Sequence, residues 1–169
     1  MKKVLLLLLV GFQLMAQKPA AKGEALNWYT DITKANEESQ KTKKPIFAFF
    51  TGSDWCGWCK KLQADVFSKK EFITWAKKNV ILLELDFPRT KPQSQELMQQ
   101  NNGLQQAFQV RGYPTIWIFN LGQDPKTKQF NQINALGSCG YPQGAEPGKE
   151  EVKFLKDAND ILNNKNKKP

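Results

Sequence analysis

Two cysteines three residues apart are the residues of this 169-residue chain best suited to chemistry. Cys56 and Cys59 enclose Gly57 and Trp58, and they directly follow an apolar run and a short polar loop. A cysteine at the start of a helix lies near free backbone N–H groups and the positive end of the helix dipole, which favour its thiolate. A second cysteine one turn further on can close a disulfide with the first and resolve a mixed disulfide. The spacing therefore indicates a redox dithiol.

Three other interpretations of the cysteine pair are a zinc site, covalent haem attachment and a purely structural disulfide. A zinc ion needs four ligands, whereas the chain offers only one further cysteine, Cys139, and no histidine. Covalent haem attachment requires a histidine after the second cysteine, where Lys60 stands. A purely structural disulfide gains little stability from so short a loop. The sequence thus favours the redox dithiol and predicts neither a metal nor a cofactor. The lack of histidine also excludes the Ser-His-Asp and Cys-His triads of hydrolases and proteases.

The net charge is strongly positive, with 25 Lys and Arg residues against 16 Asp and Glu residues, or +9. We do not interpret it as a sign of nucleic-acid binding, because many lysines occur in pairs along segments with a helical pattern, where they form a solvated face. Those pairs are Lys43–Lys44, Lys60–Lys61, Lys69–Lys70 and Lys77–Lys78. The charge does permit weak attraction to acidic partners or to an anionic membrane surface.

Residues 1–16 have the pattern of a secretory signal peptide. Lys2 and Lys3 precede an apolar run over residues 4–10, and the small residue Ala16 stands before a polar segment. The run is too short for a membrane-spanning helix of about 20 residues, although an uncleaved anchor is the alternative. Cleavage would leave a periplasmic or secreted protein without stable membrane insertion, in a compartment where disulfides persist.

The rest of the chain is long enough for one domain and too short for two. We predict a polar leader over residues 17–24, a folded domain over residues 25–162 and a disordered tail over residues 163–169. Strands are predicted at 25–29, 46–50, 80–87, 115–120 and 130–136, with a turn at 122–125 and a loop at 137–148. Helices are predicted at 31–40, 56–66, 70–78, 96–108 with a break near Gly103, and 150–162.

This order of elements predicts an α/β fold, a three-layer α/β/α sandwich with a mixed central sheet. The run over residues 46–50 is apolar throughout, as in a strand buried on both faces. The last helix is amphipathic. Its expected core positions are Val152, Leu155, Ala158, Ile161 and Leu162.

A second motif, Gly112-Tyr113-Pro114-Thr115, comes directly before the strand at 115–120. Together with the dithiol, it makes the sequence from Ala25 to Leu162 resemble the thioredoxin family. The resemblance is greatest to secreted bacterial members with a Ser-Asp-Trp-Cys-Gly-Trp-Cys-Lys-Lys stretch. It implies a thioredoxin-like fold and a cis Pro114 that packs against the dithiol. It also implies that the backbone of Tyr113 is free to pair with an extended substrate segment. The substrate-binding residues so expected are Trp55, Gly57, Trp58, Tyr113 and Pro114.

The sequence departs from the family pattern at three places. The usual buried aspartate would fall at Phe49 or Phe50, neither of which can carry a proton. Glu84 on the neighbouring strand can substitute for it, or it simply points outward. Trp58 stands where a proline is common, and no histidine lies between the cysteines. Because strong oxidants of the superfamily often use that histidine, its absence favours a reducing or intermediate potential.

Two classes of function follow. The first is a thiol–disulfide oxidoreductase, in which Cys56 attacks the disulfide of a protein substrate, Cys59 releases the product, and a redox partner not identified by the sequence renews the dithiol. The second is a binding module whose dithiol stays oxidised and whose aromatic residues form only a docking patch. In either case the expected disulfide joins Cys56 to Cys59. Cys139 is expected to be dispensable, either packed beneath the loop at 137–148 or exposed near Cys56.

Overall fold

A computed structural model describes residues 25–124, 126–127 and 129–164. The predicted signal peptide and polar leader lie outside the described residues, as do residues 165–169 of the predicted tail. The final helix extends to Asn164, two residues beyond the predicted end of the folded domain at residue 162. Across the described ranges, none of the helices combines the length and the apolar character needed to cross a membrane.

In the described part of the chain, five strands form one mixed sheet in the order β1-β3-β2-β4-β5. Strands β1 and β2 run parallel to β3, whereas β4 runs antiparallel to β2 and β5. The strands are β1 (Trp28–Tyr29), β2 (Ile46–Thr51), β3 (Ile81–Asp86), β4 (Thr115–Gln123) and β5 (Phe130–Cys139). The helices are α1 (Ile32–Thr42), α2 (Gly57–Leu62), α3 (Lys70–Asn79), α4 (Gln95–Ala107) and α5 (Glu150–Asn164), with a π-helical turn at Gln63–Phe67 after α2.

Strand β2 lies at the centre of the sheet, and all six of its residues are buried. Its side chains alternate between two cores because successive residues of a strand point to opposite faces. Phe47 and Phe49 enter the core beneath α2, α3 and α5. Ile46, Ala48 and Phe50 enter the core on the side of α1 and the end of α4. The predicted three-layer sandwich and its doubly buried strand are therefore confirmed.

The core beneath α5 differs from the predicted set of residues. Val152 is 58% exposed, whereas Phe154 and Ala158 are fully buried. At 3.6 residues per turn, Val152 lies roughly a third of a turn away from Ala158 around the helix. The prediction of Val152 as a core residue is thus wrong, and Phe154 takes its place. Leu155, Ile161 and Leu162 do pack against this core as partly buried residues.

Three predicted interruptions are absent from these elements. Helix α4 runs continuously through Gly103, where a side chain would meet only open space. Strand β4 continues into the predicted turn as far as Gln123, and β5 runs through Gly137 to Cys139. Pairing between β4 and β5 runs from Ile116–Cys139 to Gln123–Phe130 with two register shifts, and its hydrogen bonds outweigh the weak strand preference of glycine.

Candidate functional site

The two cysteines lie where β2 gives way to α2. Cys56 is the N-cap residue of α2 and Cys59 lies inside its first turn, as predicted, and an S–S bond of 2.11 Å joins them. The backbone N–H of Cys59 donates a hydrogen bond to the Sγ atom of Cys56 over 3.2 Å. Cys56 is 6% exposed and Cys59 is completely buried. Any substrate approaching this surface therefore meets Cys56 first.

Gly52 sets the path of the chain into the dithiol. Its carbonyl accepts hydrogen bonds from the N–H groups of Trp55 and Cys56 at 3.2 and 2.8 Å. A Cβ atom at residue 52 would lie 2.4 Å from the indole ring of Trp55. Only glycine therefore allows this ring to fold back over the turn, which places Trp55 beside Cys56.

Trp55 is held on three sides although 37% of it is exposed. Its indole N–H donates to the carbonyl of Phe87 over 2.8 Å. The ring of Tyr113 meets it edge to face with centroids 5.7 Å apart. The guanidinium of Arg89 lies 3.9 Å from the ring centroid, a cation–π contact. Trp55 thus joins the dithiol to the segment after β3 and to the segment before β4.

Asp54 fastens the segment after β3 next to Trp55. Its carboxylate accepts the hydroxyl hydrogen of Thr90 at 2.6 Å. It also accepts the backbone N–H groups of Arg89, Thr90 and Lys91 at 2.7 to 3.3 Å. The bonds from Thr90, hydroxyl first, hold the pKa of Asp54 well below its usual range. The carboxylate therefore stays ionised and keeps this loop in one place.

A second cluster surrounds Trp58, which is 54% exposed. The ring of Tyr141 meets Trp58 edge to face at 5.1 Å, and its hydroxyl donates to Asp65 over 2.7 Å. Lys61 forms an ion pair with the same carboxylate at 2.6 Å. The hydrogen bonds from Lys61 and Tyr141 lower the pKa of Asp65. Trp58 is thus held against Tyr141, next to the ion pair between Lys61 and Asp65.

Two Gly-Tyr-Pro tripeptides supply the two tyrosines. The peptide bond between Tyr113 and Pro114 is cis, which confirms the expectation for that bond. The Tyr113 hydroxyl accepts a hydrogen bond from Gln105, and burial raises its pKa. Residues 140–142 form a loop, as predicted, but the sequence interpretation missed that Tyr141 packs on Trp58. The repeated tripeptide was the signal that could have revealed it.

A comparison with known protein families identifies the domain. The Thioredoxin-like family model matches residues 27–120, which is more than half of the chain. The chain belongs to the thioredoxin-like family. The resemblance seen in the sequence is therefore confirmed, and the sheet and helices described above are those of this fold.

Two similar proteins from Chlamydia pneumoniae indicate the activity within the family. The "Disulfide bond reductase DsbH" is 35% identical over 151 residues, covering 83% of this chain and 82% of the relative. The "Thioredoxin-related protein DsbJ" is 26% identical over 148 residues, and here the chain spans 40% of the relative's length. A solved structure, "DsbH Oxidoreductase", is 28% identical and superposes with a TM-score of 0.69, covering 90% of this chain and 94% of that one. Together with the dithiol, these similarities show that this thioredoxin-like protein is a thiol–disulfide oxidoreductase, which confirms the first of the two classes of function.

Glu84 is the carboxylate that the sequence left open. It pairs with Phe49 across the sheet and shares the face of Leu82, so it points toward the dithiol side. It lines a cavity of about 310 Å³ whose other walls are Trp28, Phe49, Gln63, Phe67 and Ser68. Burial raises its pKa, and the charge of Asp86 raises it further. The structure therefore favours a carboxylate that faces the π-helical turn after α2, on the dithiol side of the sheet, over one that points outward.

Cys139 lies within β5 opposite Ile116, and not in the loop predicted for it. All three cysteines fall in the described part of the chain, and Cys139 is the one that forms no disulfide. Its side chain packs against the core on the dithiol side as a partly buried residue. Burial raises its pKa to about 12, and the charge of Asp157 adds to the effect. The structure thus favours the packed alternative for this thiol.

We expect the Cys139 thiol to resist alkylation in the folded protein. Raising its pKa from 9.0 to about 12 lowers the reactive thiolate fraction about a thousandfold at pH 8. The checking measurement is mass spectrometry after iodoacetamide treatment at pH 8, with and without denaturant. Rapid modification of Cys139 in the native protein, or its recovery in a disulfide-linked peptide with Cys56 or Cys59, would contradict the packed position.

Proposed function

We propose that this protein is a reductase of protein disulfides outside the cytoplasm. Cys56 is the nucleophile, Cys59 is the resolving cysteine, and protein thiols and disulfides are the substrates. The observation that carries the proposal is the asymmetry of the pair, since Cys56 reaches the surface while Cys59 is completely buried. The direction is supported by the name of the 35% identical relative, "Disulfide bond reductase DsbH".

The reaction starts from the reduced dithiol. The Cys56 thiolate attacks one sulfur of the substrate disulfide, which breaks that bond, forms a mixed disulfide and releases the other substrate sulfur as a thiolate. Cys59 then loses its proton and attacks the Sγ atom of Cys56. This step forms the Cys56–Cys59 disulfide and releases the second substrate thiol. Two electrons pass to the substrate, and the dithiol is oxidised until a redox partner reduces it.

The hydrogen bond from the N–H of Cys59 gives Cys56 its role in the first step. A donor at 3.2 Å stabilises negative charge on Cys56 Sγ, and the other N–H groups of the helix start act in the same direction. Both effects stabilise a thiolate at Cys56 and also make it a good leaving group in the second step. Cys59 lacks the exposure needed to attack first.

The surface around Cys56 supplies the contacts for a substrate. Trp55 and Trp58 flank Gly57, which is exposed and has open space where a side chain would stand. Tyr113 contacts the ring of Trp55, and Pro114 follows Tyr113 through the cis peptide bond. We assign substrate binding to these five residues, because exposed aromatic rings and free backbone suit an extended segment of another protein.

The predicted signal peptide at residues 1–16 supports a location in the periplasm or outside the cell. Cleavage after Ala16 would release the domain in an oxidising compartment, where a reductase must be kept reduced by a partner. The experiment is N-terminal sequencing of the protein recovered from the periplasm. A product that begins at Gln17 supports this location, whereas an intact N-terminus in the cytoplasm contradicts it.

The reduction potential tests the direction of transfer. A reductase should equilibrate near the value of about −270 mV typical of thioredoxin, and far from about −120 mV typical of a strong oxidant. The measurement is the redox equilibrium with glutathione, followed by Trp fluorescence, together with reduction of insulin by the dithiol. A potential near the oxidant's value would contradict the proposed direction.

We expect Glu84→Gln to raise stability at neutral pH. A carboxyl whose pKa is raised by folding binds its proton more tightly in the folded state, so stability falls as the pH rises through that pKa. The gain in Tm should be present at pH 7 and disappear well below pH 4.5, the ordinary value for this carboxyl. Glu37→Gln, at an exposed position of α1, removes the same charge as a control.

The same variant tests whether Glu84 carries the proton of Cys59. Glu84 lies beneath the segment that continues from α2, since Gln63 is another wall of its cavity. A variant that is more stable but slower in turnover would identify a carboxylate that serves the reaction. Equal turnover in Glu84→Gln and in the wild type would remove this role and leave Glu84 as a structural residue.

A further inference from the structure

The cations on the Trp55 side of the dithiol contact neutral groups. The Nζ atom of Lys60 donates to the carbonyl of Asp54 over 3.1 Å, and that of Lys91 donates to the hydroxyl of Ser53 over 3.3 Å. Arg89 lies over the ring of Trp55 at 3.9 Å. All three side chains are exposed. We call Lys60, Arg89 and Lys91 the cationic rim.

The nearby carboxylates, Asp54 and Asp86, are engaged in hydrogen bonds with the chain around them. Asp54 accepts its hydrogen bonds from the backbone and the hydroxyl of the loop after β3. Asp86, which is partly buried, accepts the N–H and the hydroxyl of Ser53 at 2.8 and 2.6 Å. The negative groups therefore hold the loop together, while the positive groups remain available to a bound partner.

On the Trp58 side of the dithiol, by contrast, Lys61 is paired with Asp65 at 2.6 Å, and Tyr141 donates to the same carboxylate. The cationic rim therefore differs from Lys61 in that, among the described residues, its three cations contact no carboxylate. The Asp54 carboxylate fixes the position of the rim by binding the backbone of Arg89 and Lys91. A fixed array of charges recognises a partner better than mobile side chains, because less conformational entropy is lost on binding.

We propose that the cationic rim binds an acidic segment of the substrate protein beside the disulfide that is reduced. The proposal rests on the proposed function and names the substrate class for it. Carboxylates of the substrate would meet Arg89 and Lys91 next to Trp55, while the disulfide meets Cys56. Removal of residues 1–16 takes away Lys2 and Lys3 and leaves 23 basic against 16 acidic residues, and this net charge of +7 would also steer an acidic protein toward this surface.

The test uses three synthetic peptides of equal length, each closed by one disulfide. Asp, Asn or Lys residues flank one cysteine, and the reduced protein is regenerated with a small dithiol. We expect kcat/KM for the Asp peptide to exceed that for the Asn peptide on the order of fivefold at low ionic strength. The preference should shrink in about 0.5 M salt, because salt screens exposed charges.

In the double variant Arg89→Gln, Lys91→Gln, kcat/KM for the Asp peptide divided by kcat/KM for the Asn peptide should fall to about one. Lys91→Gln alone, which leaves the contacts of Trp55 in place, should lower it less and in the same direction. The matched control is Lys34→Gln with Lys41→Gln, which removes two exposed charges from α1 on the opposite face of the sheet. The control should keep the preference of the wild type.

Two results would contradict the proposal that the cationic rim binds an acidic segment. One is equal kcat/KM for the three peptides in the wild type, and the other is an unchanged preference in the Arg89 and Lys91 variant. Failure of the proposed function looks different, since then the reduced protein turns over none of the three peptides. The two failures are therefore distinguishable in one set of assays.

Discussion

Replacing Cys56 by serine abolishes the reduction of disulfide substrates. We expect kcat/KM to fall by about a thousandfold or more, because a serine hydroxyl supplies almost no anion at neutral pH and cannot form a mixed disulfide. The fold should persist, since Cys56 lies at the edge of the core and serine has nearly the same shape. The measurement is turnover of insulin or of a disulfide peptide with a thiol reductant present.

The variant Cys59→Ser separates the role of the nucleophile from that of the resolving cysteine. Cys59→Ser keeps the nucleophile but lacks the thiol that resolves the mixed disulfide, so a covalent complex with the substrate should accumulate on non-reducing gels. Cys139→Ala is the control and should keep the turnover of the wild type, because Cys139 lies in β5 without a disulfide. Normal turnover by Cys56→Ser would disprove the assignment of the nucleophile.

Replacing Phe154 by alanine should destabilise the domain by about 3–5 kcal/mol, the usual range for removing a buried aromatic ring. Phe154 is fully buried. Its ring lies 6.2, 5.8 and 6.0 Å from the rings of Phe47, Phe67 and Phe72. The loss is a large part of the roughly 5–15 kcal/mol that stabilises an ordinary domain. Urea unfolding of both proteins measures it as a shift of the midpoint.

Val152→Ala is the matched control on the same helix. Val152 is 58% exposed, so its truncation should change the free energy of unfolding by only about 0.5 kcal/mol or less. The two variants together test the observed orientation of α5. Equal losses, or a larger loss for Val152→Ala, would show that the helix presents the face predicted from its sequence pattern.

Local patterns predicted the parts of the molecule that depend on neighbouring residues. Helix α1 begins at Ile32, close to the predicted start at residue 31, and the carboxylate of its N-cap residue Asp31 accepts the N–H groups of Thr33 and Lys34. The apolar run at 46–50 is the buried central strand, because such a run has no polar face to expose. Cys56 and Cys59 are bonded to each other, since one helical turn brings them together.

The family resemblance contributed what the local patterns did not contain. The residue types around Pro114 permit an ordinary turn before a strand as well as a cis peptide. It was the combination of the dithiol with Gly112-Tyr113-Pro114-Thr115 that implied the cis bond observed in the structure. The assignment of substrate binding to Pro114 stays a proposal.

The sequence by itself determined the order of strands and helices, the dithiol and its place at a helix start, because each follows from residues close together in the chain, and its resemblance to the thioredoxin family implied the fold. Only the tertiary structure decided which residues surround the dithiol. Asp54 reaches Arg89 and Thr90 in a loop 35 and 36 residues away, and Tyr141 reaches Asp65 across 76 residues. Such contacts depend on how the strands and loops are brought together, so no local spacing encodes them. For the same reason, Phe154 and not Val152 enters the core, since the face of α5 that is buried is the one that meets the aromatic rings of β2 and α3.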